Sequence, residues 1–223
     1  MNSSIIAPSQ LFRLLRSPRL YLAAAGIALL LVMRPVSAAV ADAEAYVQSL
    51  VDQGFKLLDE GGPAGHNAKF HAFVLQHVDA EKTALFALGR YRRGASEAVV
   101  KPYVDVFREY ATVNYEMRLE ERKGEKLKVT GSLENKPGDV TVEAETVGGS
   151  GDALKIAFRL NGRNGAYKVV DVQAAGLWLS IEQREQFTAF LSKNNGDIAK
   201  LTQHLIGLTK DMRARPPKAA KSK

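Results

Sequence analysis

The chain has 223 residues, 46% apolar and 25% charged, an ordinary globular composition with room for one substantial domain or two small ones. It has no cysteine, which excludes disulfides, thiol catalysis, Cys-based zinc sites and iron–sulfur ligation. The formal charge of +7 sits in the ends: residues 1–38 carry four arginines and no acid, residues 210–223 carry six basic residues and one acid, and the stretch between is slightly acidic, which argues against a basic nucleic-acid face.

Arg13, Arg16 and Arg19 precede an uncharged run from Leu20 to Met33. That run is short for a membrane-spanning helix, which needs about 20 residues. It suits the apolar region of a secretory signal peptide, with small-residue cleavage sites after Ala38 or Ala41. An uncleaved anchor is the other reading, because Arg34 stands between the run and the cut. Export without disulfides points to the periplasm, with residues 1–38 as signal peptide, 39–209 as a single domain and 210–223 as a basic disordered tail.

Asp42 to Glu60 carries a helical stripe (Tyr46, Val47, Leu50, Val51, Leu57, Leu58) that Gly61-Gly62-Pro63 stops. A short helix is expected around Phe70–His77, and Asp79 is placed to cap another from Ala80 to Gly89. The longest helix lies between Ser96 and Arg122. Pro102 puts its start near Lys101, with a kink as the alternative.

The period then changes to two. Leu127–Leu133, Val140–Ala144 and Leu154–Leu160 alternate, separated by Lys136-Pro137-Gly138-Asp139 and Gly148-Gly149-Ser150-Gly151. Asn161-Gly162 and Asn164-Gly165 bracket the next turn, and a fourth strand begins with Tyr167. Ser180-x-x-Gln183 reads as a capping box before a helix with Phe187 and Leu191. Asp197 caps a last helix through Leu208. The fold class is α+β: a four-stranded antiparallel meander with helices against its apolar face.

Catalytic signatures are sparse. His66, His71, His77 and His204 form no HExxH motif, and Gly148–Asp152 lacks the second glycine of a nucleophile elbow. Asp171 is the one acid in an apolar strand. A general base and a structural, hydrogen-bonded acid both fit it. No metal site or cofactor is expected.

From Lys69 to about Leu205 the chain resembles the MlaC or toluene-tolerance family. The segments that carry the likeness are Ala87-Leu88-Gly89-Arg90-Tyr91-Arg92-Arg93-Gly94-Ala95-Ser96 and Tyr167-Lys168-Val169-Val170-Asp171-Val172 followed by Gly176. Arg184, Phe187 and Gly196-Asp197 extend it. Two positions depart: Trp178 replaces a small polar residue, often serine, and Gln183 replaces a tyrosine.

The resemblance implies a periplasmic carrier that shuttles phospholipid between an outer-membrane lipoprotein complex and an inner-membrane ABC lipid transporter, acting as a monomer. It implies a cone related to nuclear-transport-factor-like folds, with an apolar cavity for acyl tails. Two tails hold on the order of 30 methylenes, whose exposure at about 0.8 kcal/mol each would cost over 20 kcal/mol. The cavity is therefore expected at or beyond roughly 1,000 Å³. The expected lining is Phe107, Tyr110, Val129, Ile156, Phe158, Leu177, Trp178, Phe187 and Leu191, with Ala174 and Gly176 leaving room beside Trp178. The bulky Trp178 leaves a hopanoid or another polycyclic lipid open as cargo. A small enzyme using Asp171 and a lipid-free interaction module are the readings from other classes.

Overall fold

The computed structural model describes residues 36–62, 65–122, 124–148 and 153–215. The chain divides into two units, Met1–Ser37 and Ala38–Lys223. Residues 1–35 of the expected signal peptide and the end of the basic tail lie outside the described residues.

Among the described residues, six α-helices and five strands follow in order: α1 Val36–Asp59, α2 Ala68–His77, α3 Ala80–Ala87, α4 Glu97–Glu120, β1 Lys126–Lys136, β2 Asp139–Val147, β3 Lys155–Arg163, β4 Ala166–Ala174, β5 Leu177–Trp178, α5 Leu179–Lys193 and α6 Ile198–Ala214. A short 3₁₀ turn, Gly89–Arg92, links α3 to α4. The sheet is a pure antiparallel meander in the order β1-β2-β3-β4-β5.

The expected strand count of four is corrected to five. Ala175 and Gly176 both adopt left-handed backbone, with φ of 51° and 83°, which is the geometry of a two-residue hairpin turn. The chain folds back there, and Leu177 and Trp178 pair with Ala174 and Gln173. The Ala-Gly pair lacks the Asn-Gly or Asp-Gly signature that marks such turns in a sequence.

Two helix starts also differ from expectation. α4 begins at Glu97 and runs through Pro102. The proline's missing N–H removes one hydrogen bond near the helix start, and the buried stripe Val100, Tyr103, Val104, Phe107 outweighs that loss. α5 is not held by a Ser180–Gln183 capping box, because its cap residue Trp178 makes no side-chain bond. Asp171 of β4 supplies the acceptor instead, taking the Ser180 N–H at 3.1 Å and the Ser180 hydroxyl at 2.5 Å. Asp79 and Asp197 do cap α3 and α6, accepting from Lys82 N and Lys200 N. Asn67 caps α2 in the same way. α6 continues to Ala214, five residues into the segment expected to be tail.

Two main apolar clusters result. Leu88, Tyr103, Phe107, Phe187, Leu191, Leu201 and Leu205 form a helical core from α3–α6. Ala43, Val47 and Val51 of α1 pack on Val140, Val142, Leu160, Tyr167 and Val169 of the sheet. α1 is fastened to the edge strand β1 by Gln48, which donates to Leu127 O and accepts from Val129 N, and by Ser132 Oγ donating to Glu44. The two Gln48 bonds occupy backbone groups that an open sheet edge would leave unpaired.

Candidate functional site

Strand register decides which side chains share a face. Across β2, β3 and β4, Val140, Leu160 and Val169 form one row, only 1%, 0% and 2% exposed under α1. The next row runs Ser132, Val142, Phe158, Val172; Val142 stays buried while Phe158 and Val172 are half-buried. The row after it runs Val129, Ala144, Ile156, Ala174, Leu177 across all five strands. There Val129, Ile156 and Ala174 are half-buried and Leu177 is 64% exposed. One apolar face thus passes from sealed under α1 to open over β3–β5.

The nine expected lining residues fall into three groups. Val129, Ile156, Phe158 and Leu177 lie together on this face. Phe107, Tyr110, Phe187 and Leu191 lie in the helical core, with the Phe107 ring edge-on to Phe187 at 6.1 Å between centroids. Trp178 is on neither. It pairs with Gln173, in the row with Ala157 and Glu143, on the opposite face of the sheet.

On that back face Trp178 lines a hollow of about 380 Å³ with Phe86 and Ile181. Its volume is about a third of what two acyl tails need. Asp171 lies beside it with both carboxylate oxygens engaged: besides Ser180, Oδ1 accepts from Val172 N at 2.9 Å. Arg159 donates from Nε and Nη2 to Asp139 at 3.0 and 2.7 Å. Hydrogen bonds from Arg159, with a smaller one from Asn135, hold the Asp139 carboxyl below the usual carboxylate range against the upward push of burial.

Polar groups inside the helical layer are matched. Tyr103 OH donates to Ala84 O at 3.0 Å, and burial pushes that phenol far above its ordinary range. Tyr115, which packs on the helical core and on the small Leu58, Phe70, Val74 cluster, is raised by burial to about 12. Glu116 is fully buried, with Oε2 2.5 Å from His71 Nε2 and Oε1 accepting from Asn67 N. Burial pushes its carboxyl upward, but these hydrogen bonds outweigh it and hold the group below the ordinary range.

The lining residues that sequence reasoning did not name are Val172 on the apolar face and Phe86, Ile181, Lys82 and Lys136 around the back hollow. Val172 was findable, since it alternates with Asp171. The others come from α3, the end of β1 and α5, and nothing local in the sequence joins them. Among the described residues, no cluster of His, Asp or Glu is arranged to hold a metal ion, and no helix is long and apolar enough to cross a membrane.

The family model described as MlaC protein matches residues 47–206. Among solved structures, a phospholipid-binding protein from Ralstonia solanacearum, in complex with a phospholipid, is similar in fold with a TM-score of 0.62 and 22% sequence identity; the match covers 77% of this chain and 98% of that one. No curated protein matches the sequence.

Proposed function

The chain belongs to the MlaC family, and from that premise we propose that it is a periplasmic phospholipid carrier whose acyl tails lie on the open part of the sheet's apolar face. The observation that carries this reading is the row Val129, Ala144, Ile156, Ala174, Leu177, apolar throughout, which opens from buried Ala144 through half-buried Ile156 and Ala174 to exposed Leu177 on β5. A folded protein gains about 25 cal/mol for each Å² of such surface removed from water. A tail laid along the row removes both its own surface and the protein's. The Ralstonia protein is described as phospholipid-binding, and the shared fold supports the same ligand class here.

Headgroup and glycerol would remain toward solvent at the Leu177 end, with the tails running inward over Phe158 and Val172 toward the helical layer. Delivery between an outer-membrane lipoprotein complex and an inner-membrane ABC transporter then needs only reversible exposure of the tails, not chemistry. Asp171 fits this as a structural acid, since its oxygens hold the start of α5. Trp178 faces away from the tail row, so its bulk supplies no argument for a polycyclic ring there.

Mass spectrometry of organic extracts from the purified protein tests the proposal. Phospholipid near one molecule per chain is expected. A protein that purifies without lipid and takes up none from phosphatidylglycerol vesicles would overturn it.

A further inference from the structure

The hollow behind the sheet is separated from the tail row by the sheet itself, and the carrier function makes no use of it. Its polar lining is unevenly engaged. Both acids are saturated: Asp139 by Arg159 and Asn135, Asp171 by Ser180 and the Val172 N–H. Thr83 donates its hydroxyl to the carbonyls of Asp79 and Val170. The cations are not saturated. Lys82 and Lys136 form no ion pair among the described residues. The Lys82 ammonium has three donors, one of which reaches the Asn161 side-chain oxygen at 2.7 Å when that amide is turned to satisfy both its groups. Arg159 Nη1 makes no bond to Asp139.

What the hollow still offers a ligand is therefore donors and positive charge, brought from three elements: α3, the end of β1 and β3. Phe86, Trp178 and Ile181 form an apolar wall around them. Cationic donors that converge on one concave site attract an anion jointly, each through a charge-assisted hydrogen bond. A volume of about 380 Å³ holds a phosphate and its immediate substituents, not an acyl chain.

We infer that this hollow binds a phosphate-bearing anion, held by Lys82, Lys136 and Arg159 against the Trp178 ring. Two sources present that chemistry, the headgroup of a bilayer lipid and free phosphate or a phosphate monoester.

Trp178 is the chain's only tryptophan, so its emission reports on the hollow alone. The full chain is titrated at constant ionic strength with inorganic phosphate, glycerol phosphate, and vesicles of phosphatidylglycerol against phosphatidylcholine. Equilibrium dialysis with radiolabelled phosphate, and vesicle co-sedimentation, cover binding that leaves the emission unchanged. Saturable binding is expected, weakened about tenfold for each lysine removed in Lys82→Gln and Lys136→Gln. Both lysines are exposed, so an unchanged Tm and unchanged lipid content are expected in these variants. A response to phosphate alone assigns the free anion, and a response only to phosphatidylglycerol vesicles that the double lysine variant loses while keeping its extracted lipid assigns the headgroup. Absence of binding in every arm, or binding equally tight in the double lysine variant, overturns the inference. Neither result bears on the tail row, whose readout is the extracted lipid.

Discussion

Leu177 and Trp178 are neighbours in the chain and lie on opposite faces of the sheet. A strand's side chains alternate, so the turn at Ala175-Gly176 sends Leu177 to the end of the apolar row and Trp178 into the back hollow. This separates two substitutions that the sequence would group. Phe158→Asp places a charge in the middle of the tail row, and extracted lipid is expected to fall about tenfold or more, because a carboxylate cannot be desolvated beside an acyl chain. Trp178→Ala should leave lipid content within about twofold of the parent. Quantitative mass spectrometry of the two purified variants decides: an unchanged Phe158→Asp, or a depleted and folded Trp178→Ala, would move the tails to the other face. Asp171 teaches the same lesson. Its position in an apolar strand admits a general base, and its contacts make it the anchor of α5.

At the scale of elements, the layers are joined by a few buried polar ties. Glu116 links α4 to α2 through His71 and to the Asn67 cap. Its carboxyl is held below its ordinary range, so the folded state favours the ionised form. The stabilisation is fully present above the unfolded carboxylate value of about 4.3 and is lost as pH falls through the lower folded value. Asp139, paired with Arg159, acts in the same direction. Thermal denaturation followed by circular dichroism should show Tm falling steeply as pH drops below about 4. Glu116→Gln is expected to cost about 1–3 kcal/mol at neutral pH and to flatten that acid limb, because its amide does not titrate. An acid limb as steep in Glu116→Gln as in the parent would place the lability elsewhere. Much of this scale was legible in the sequence: Asp79 and Asp197 cap where their positions say, and the alternation in β1–β4 follows the residues. The start of α5 was not, because its acceptor lies nine residues upstream on another element.

For the molecule as a whole, a carrier with a bound lipid should be more stable than the same protein without it. Ligand that binds only the folded state adds RT ln(1 + [L]/Kd), about 2.7 kcal/mol at a hundredfold excess over Kd. Delipidated protein, prepared by extraction and refolding, is expected to show a lower Tm by several degrees and to bind a hydrophobic dye more strongly. Adding back phosphatidylglycerol should reverse both. Equal Tm with and without lipid would mean that the folded chain does not bind the lipid preferentially, against the carrier reading.

The sequence by itself determined what depends on neighbours along the chain. Period-two alternation gives strands, stripes at three and four residues give helices, and Asp before a helix gives a cap. The order of Lys69–Leu205 segments carries the resemblance to the family whose model matches residues 47–206. Tertiary structure decided what depends on register and on distant partners. Phe107, Tyr110, Phe187 and Leu191 have the same apolar character as Ile156 and Phe158, and periodicity cannot tell a sealed helical core from an open sheet face. That distinction rests on where α1 lies, sealing Val140, Leu160 and Val169 while the row ending at Leu177 stays open, and no local pattern records how far one element covers another.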